Sequence, residues 1–375
     1  MVIANLFLDD IYFFDNFNAS FVYPKKIVNN PVDGEYLKDY PNFRYKKINV
    51  IVGSNATGKT TFGKAIWHVF MFLNKKEAEP LLEIVGDNSR EAKIILDYVM
   101  FDGILNRADI VISPAKDNGE REIKVRILEV KLNKNDSYES ASARFDLNTP
   151  YRNYIDALSN VNFSGWNFTF PLTEKNFDKI SCPFDGEERY EFLNVLLPLI
   201  KTLDSSIKDI KVSNEVDKTY IIIPEKGDSF YISNEMKLSE INKLSSGTKY
   251  GFNIASTLYS IKKHINGFYY IDEQFSYINS DIEIAIFNLM SSYISDGEQL
   301  IFTTHNTELL ALNYPVHAFN FFRKQEVDGK KRIELIDASI IEKRNNTNIK
   351  NLYDNDFFGA SPDLSNIYAL GENDG

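Results

Sequence analysis

The sequence predicts an α/β fold: a core with a mixed sheet, a short inserted α/β lobe and no long coiled coil. Three observations lead there. The apolar run Ile48-Asn49-Val50-Ile51-Val52 feeds directly into Gly53-Ser54-Asn55-Ala56-Thr57-Gly58-Lys59-Thr60, and a helical pattern follows. The last third of the chain alternates strand runs with helix runs, which implies parallel strands joined by crossovers. Asn118-Gly119, Lys226-Gly227-Asp228 and Asp328-Gly329 each separate two strand-like runs, so hairpins add antiparallel pairs.

Taken in chain order, Asp10 to Phe14 and Asn18 to Tyr23 read as short strands, and Val28 to Asn42 as a polar connection rich in Pro, Gly and Asn. Lys46 to Val52 is the strand before the loop. Phe62, Ile66, Phe70 and Leu73 recur at helical spacing, so Lys59 to Leu73 is expected as an amphipathic helix. Ala108 to Ser113 and Arg121 to Leu132 form the first hairpin. Residues 133 to about 180 are polar, rich in aromatics and without a period. Tyr190, Leu193, Leu196, Leu197, Ile200 and Leu203 give a helical pattern within Glu187 to Val212, and a hairpin of Tyr220 to Pro224 with Phe230 to Ile232 follows. Helices Ser246 to His264 and Asp281 to Tyr293 precede strands Phe268 to Ile271 and Gln299 to Thr303, and Ala318 to Val327 pairs with Lys331 to Asp337. The expected organisation is residues 1–135 as the first part of the core, 136–240 as the inserted lobe, 241–340 as the rest of the core and 341–375 as a tail.

Composition narrows the class. The chain has 375 residues with 43% hydrophobic and 25% charged content, enough for a sizeable core. It has no apolar run long enough to span a membrane. One cysteine, Cys182, allows neither an internal disulfide nor a cysteine-based metal cage, and suits a reducing compartment; cytoplasm is the expectation. The net charge of −11 argues against a broad nucleic-acid-binding surface. Arg323 to Lys350 is locally basic, either as a solvated hairpin and loop or as a contact surface.

The loop fixes the ligand class. Successive backbone N–H groups wrap a phosphate, which requires Gly53 and Gly58 where side chains would collide or φ must be positive. Lys59 supplies a point charge to the β- and γ-phosphates, Thr60 and Thr61 open the helix, and the Thr60 hydroxyl is placed to ligate Mg²⁺. Phe268-Tyr269-Tyr270-Ile271-Asp272-Glu273 is a buried strand ending in two carboxylates. Paired acids there can be solvated caps; after a phosphate loop they read as a magnesium holder, Asp272, and a general base, Glu273. Leu244-Ser245-Ser246-Gly247-Thr248 opens a helix, either as a plain N-cap or as an anion site. Gln299 to Thr304 is a second buried strand, and His305 at its carboxyl end lies at the nucleotide edge of such folds.

This order of loop, Ser-Ser-Gly-Thr, strand with Asp-Glu, and strand with Thr-Thr-His resembles the ABC-type ATPases. More closely it resembles the stand-alone AAA-family ATPases, related to SMC and RecF proteins, of bacterial defence operons. The resemblance covers roughly residues 1–135 and 185–340 and implies an ABC-ATPase-like P-loop core, with ATP and Mg²⁺ as ligands. It further implies a head-to-tail dimer or higher homo-oligomer in which Ser245, Ser246 and Gly247 of one copy close on the γ-phosphate held by Lys59 of another. His305 would sense that phosphate, and Ser276-Tyr277-Ile278-Asn279 resembles the loop that crosses the dimer seam, with Asn279 where the family has Asp or His. One departure stands out: the family places a glutamine between the phosphate loop and the signature, and this chain has none between Thr60 and Asp272.

Too few residues follow His305 for a Toprim nuclease domain, so effector activity is expected from a separately encoded nuclease or toxin. The leading expectation is an ATPase subunit of an anti-phage, abortive-infection system of Septu-like or PARIS-like type, triggered by a phage protein or nucleic acid. The competing expectation is a RecF/SMC-like repair ATPase that binds DNA directly.

Overall fold

The computed structural model describes every residue except 25–29, 55–56, 101, 172–183, 215–218, 234–243, 328–329, 345–346, 362–367, 369 and 371–375. The chain forms two compact units, one of Met1–Gly165 with Asp296–Gly375 and one of Trp166–Ser295.

Among the described residues the first unit holds two larger sheets and a two-stranded one, Tyr36–Leu37 with Tyr40–Arg44. In one, six strands run in the order Phe17–Ser20, Val2–Asp9, Ala92–Val99, Ile104–Ile112, Ile123–Lys131, Arg152–Asn153. All its pairings are antiparallel. In the other, Ile48–Val52 pairs in parallel with Gln299–Thr304 on one side and with Phe319–Val327 on the other. Phe319–Val327 pairs antiparallel with Lys330–Asp337, so this sheet is mixed. All of Ile48–Val52 is buried, as expected of a parallel strand covered on both faces. The helix Lys59–Lys75 buries Phe62, Ala65, Ile66, Val69, Phe70, Phe72 and Leu73.

One expectation for this unit is corrected, and one unreadable segment is explained. The N-terminal strand is Val2–Asp9, and Asp10 to Phe14 is a turn with Asp10 and Tyr12 in the left-handed region. Its apolar residues are not ladder residues: Phe14 lies in a ring cluster with Phe17 and Phe62, while the Asp10 carboxylate accepts from the Asp87 N–H at 3.0 Å. The aperiodic segment after residue 133 is ordered by long-range bonds. Arg107 grips Asp97 through two 2.7 Å bonds, and the Tyr138 hydroxyl donates to the same carboxylate at 2.7 Å. Asp109 repeats the device with Arg126 and Tyr151.

Beneath the mixed sheet, Lys46 is fully buried, with Nζ 2.9 Å from Asp337 and 3.0 Å from the Asn320 side-chain oxygen. Burial works to raise the Asp337 pKa, but the Lys46 charge and bonds from Lys46 and Ser339 hold it below the ordinary carboxylate value. A depressed pKa contributes stability that is complete above the unfolded value, about 3.9. That stability is lost as pH falls through the folded value. Lys46→Met leaves a buried carboxylate without its cation, and is expected to destabilise the protein by about 3–5 kcal/mol at pH 7. Melting curves check this: the gap from wild type should narrow as pH approaches 4, where protonation of Asp337 removes the uncompensated charge.

The second unit contains a parallel pair, Trp166–Thr169 with Phe268–Asp272. It also contains an antiparallel sheet of Ile207–Val212, Thr219–Pro224 and Phe230–Ser233. Its described helices are Glu188–Leu203, Ser246–Lys262 and Ser280–Tyr293. The helical pattern read through Val212 stops at Leu203. Asp204 takes an extended backbone, and its carboxylate accepts from the Ser206 N–H and the Thr248 hydroxyl, at 3.0 and 2.7 Å. Ile207–Val212 is therefore a strand. The helix buries Phe192, Leu196, Leu199 and Ile200, and Tyr190 faces outward. Gly251 permits the close approach of the next helix, because a Cβ there would lie 2.7 Å from both Ile200 Cδ1 and Leu203 Cδ1. The longest described helices have 17 residues, so no long coiled coil occurs among the described residues. No described helix is long and apolar enough to cross a membrane.

Candidate nucleotide site

The first unit builds the phosphate loop. The parallel register places Thr304 beside Val52, so Gly53 and His305 leave neighbouring strands at the same edge. This brings Lys59 Nζ to 3.4 Å from His305 Nδ1, although 246 positions separate them in the chain. The same ammonium donates to the carbonyls of Gly53, at 2.6 Å, and Ser54, at 3.1 Å. It is 3% exposed, a buried cation wrapped by its own loop. The Thr57 hydroxyl also donates to Ser54, at 2.8 Å.

The loop fits a phosphate on three counts. Gly58 has φ of +108°, a conformation that side chains resist. At Gly53 a Cβ would lie 2.8 Å from Thr57 Oγ1. The helix that follows has no side-chain N-cap and no acid in its first turn, so its leading N–H groups and dipole are available to an anion. Thr60 and Thr61 occupy that first turn, partly buried. Asn55 and Ala56 lie outside the described residues.

Sequence reasoning passed over Phe13. Its ring is 47% exposed, and its Cε2 and Cζ lie 3.0 and 3.1 Å from where a Gly58 Cβ would stand. An open aromatic face therefore borders the loop. Nothing in the local pattern marked it, because Phe13 and Phe14 read as apolar residues of a short strand, Asp10 to Phe14.

The second unit carries the two carboxylates and the serine-rich helix tip. Asp272 ends the strand Phe268–Asp272 and is fully buried, and Glu273 follows with φ of 43°. The Ser276 hydroxyl donates to the Glu273 carbonyl at 3.1 Å. Asn279, on the loop expected at a dimer seam, caps the next helix by accepting from the Asp281 N–H at 2.8 Å. Ser245 caps its own helix: its oxygen accepts from the Thr248 N–H at 3.1 Å, and Thr248 is anchored on Asp204. Burial works against the Asp204 charge, yet the bonds from Ser206 and Thr248 hold its pKa below the ordinary value. The plain capping role of Ser245 is thus satisfied, and Ser245 and Ser246 remain exposed.

Gly247 is different. The nearest atom to a Cβ there is the Tyr277 carbonyl at 3.6 Å, an ordinary contact. Packing within the unit gives no reason for glycine, and the missing side chain leaves the helix tip open. Tyr277 itself is 65% exposed, with its ring 5.4 Å from that of Tyr250, so the tip and the loop after Glu273 share one face.

An apolar groove of this unit, about 490 Å³ between Pro198, Leu258, Ile286 and Leu289, lacks a glycine-rich loop of the kind that cradles phosphate. Among the described residues, three of the eight basic residues near the C-terminus are paired within the segment: Arg323 with Glu334 at 3.0 Å, Arg344 with Glu342 at 2.8 Å and Lys350 with Asp354 at 2.8 Å.

A protein-family model described as "AAA domain, putative AbiEii toxin, Type IV TA system" matches residues 48–311. Among solved structures, the SMC head bound to the C-winged helix domain of ScpA is similar, with a TM-score of 0.53 at 14% identity, covering 91% of this chain and 100% of that one. The Pyrococcus furiosus SMC head with an extended coiled coil, bound to the C-terminal domain of ScpA, gives 0.51 at 12% identity, covering 89% and 96%. At such identities the likeness is one of fold. No curated protein sequence matches the chain.

Proposed function

From the premise that this chain belongs to the AAA_21 family, ABC-type AAA ATPases with the SMC-head fold, we propose that it binds and hydrolyses ATP as a nucleotide-gated homo-oligomer. The observation that carries this is Lys59, a buried ammonium held between the Gly53 and Ser54 carbonyls and His305, in front of an uncapped helix N-terminus. The loop Gly53–Thr61 cradles the triphosphate, and the Phe13 ring stacks on the base. Ser245, Ser246 and Gly247 of a second copy close on the γ-phosphate. Glu273 takes the proton of the attacking water, and His305 reads the presence of the γ-phosphate beside Lys59.

The Thr60 hydroxyl and the Asp272 carboxylate are hard oxygen donors of the kind magnesium takes. The ion, when bound, neutralises charge on the β- and γ-oxygens.

Gly247→Asp tests the closed assembly separately from folding. The fold has room for the side chain, so the melting temperature should stay at the wild-type value. A carboxylate facing the partner's γ-phosphate should abolish both turnover and the gain in mass that ATP with Mg²⁺ produces. Light-scattering mass with ATP, with and without EDTA, reads the outcome. An unchanged ATP-dependent assembly of this variant would remove the serine-rich tip from the site.

For the biological setting, we propose an ATPase subunit of an anti-phage, abortive-infection complex that controls a separately encoded nuclease or toxin. The family description, which names a toxin–antitoxin system, supports this. Co-purification of neighbouring gene products and loss of phage protection in a Lys59→Ala strain test it. The fold likeness to SMC heads favours a second reading, an ATPase acting directly on DNA. That reading requires binding that weakens steeply with salt and turnover stimulated by DNA. The net charge of −11 counts against it.

A further inference from the structure

The turn that presents Glu273 is held in a costly shape by its neighbour. A non-glycine residue with φ of 43° sits in the left-handed region. Such residues are strained and persist where their surroundings over-determine them. Gln274 is the surrounding group. It is fully buried, and its amide nitrogen donates to the Asp272 carbonyl at 3.1 Å, closing a bond across Glu273. The Ser276 hydroxyl donates to the Glu273 carbonyl from the other side.

A buried side chain of this size is most cheaply met by Leu or Met, so the amide needs a reason. The bond to Asp272 supplies half of it. The other half is Oε1, which is buried and makes no hydrogen bond with the described residues. Leaving such an acceptor unmet costs the desolvation of that group. A water that Oε1 accepts from, one residue from the carboxylate that must deprotonate a water, would remove that cost.

We infer that Gln274 is a positioning residue for hydrolysis: its N–H locks the backbone that aims Glu273, and its Oε1 orients an ordered water beside the base. The inference rests on the reading of Glu273 as general base. It assigns the water-orienting amide to the residue after the base, in a chain that has no glutamine between Thr60 and Asp272.

Two variants test it. Gln274→Met keeps the volume and removes donor and acceptor. Its turnover should fall about tenfold or more, the loss expected for a hydrogen bond worth at least 1.4 kcal/mol. The dissociation constant of a slowly hydrolysed ATP analogue and the melting temperature should stay near wild type. Gln274→Glu keeps an acceptor and can donate to Asp272 only while protonated. Its turnover should therefore fall as pH rises through the ionisation of the new carboxyl, a limb absent from the wild-type profile.

Turnover of Gln274→Met within threefold of wild type would overturn the inference. If that variant does not fold, the pH profile of Gln274→Glu decides by itself, with the extra limb supporting the role and its absence overturning it. Glu273→Gln runs in parallel. Normal turnover there removes the base assignment, whereas a stalled Glu273→Gln beside a normal Gln274→Met removes only the role of Gln274.

Discussion

Glu273→Gln is expected to lower ATP turnover by about 10²–10⁴-fold, the usual contribution of a general base, while nucleotide binding survives. The substitution keeps the shape and hydrogen-bonding reach of the side chain and removes only its ability to accept the proton. The strained turn should persist, because the bonds that hold it run from Gln274 and Ser276 to backbone carbonyls. ATP then occupies the site without being consumed, so the assembled state should accumulate and outlast that of the wild type on dilution. Single-turnover release of phosphate, with mass measurement in the same samples, separates the two effects. Wild-type turnover in this variant would place the base elsewhere.

Lys59→Ala acts earlier in the cycle. The ammonium bonds two loop carbonyls and stands 3.4 Å from His305, and in the proposed site it also holds the ligand. Its removal takes away charge-assisted bonds to phosphate worth about 1.5–3 kcal/mol each. With two phosphates contacted, ATP affinity should fall by roughly 100-fold or more, since 1.4 kcal/mol is tenfold. Phe13→Ala supplies the graded contrast. Losing one base-stacking ring, worth about 1–3 kcal/mol, should weaken binding about tenfold with the maximal rate kept. Calorimetric titration with an ATP analogue measures both. Wild-type affinity and turnover in Lys59→Ala would refute the phosphate-loop assignment.

Elements with strong local signals were legible in the sequence. The helix Lys59–Lys75 and the strands Ile48–Val52, Phe268–Asp272 and Gln299–Thr304 lie within a residue or two of expectation. Each is long and periodic or continuously apolar, so one pattern dominates. The hairpins Ile104–Ile112 with Ile123–Lys131, and Thr219–Pro224 with Phe230–Ser233, followed from their turn residues; Gly119 and Gly227 take φ of 82° and 96°. The misreadings trace to contacts that local pattern does not carry. Asp10 to Phe14 carries strand-like residues but is bent by bonds to Ile84 and Asp87, far along the chain. The pattern through Val212 missed the stop at Asp204, because an Asx-type bond to Ser206 and a contact with Thr248 are not visible as periodicity.

The sequence by itself determined the ligand chemistry. Wrapping a phosphate requires contiguous backbone N–H groups, a glycine at positive φ and an adjacent lysine, so the whole device is written in one stretch from Gly53 to Thr60. Only the tertiary structure decided which distant groups join it. His305 reaches Lys59 because two parallel strands end in register, Phe13 reaches Gly58 because the N-terminal turn folds over the loop, and Tyr138 and Tyr151 dock because Asp97 and Asp109 need partners once buried. Strand pairing and the satisfaction of buried charge act between residues far apart in the chain, and local pattern holds no record of either.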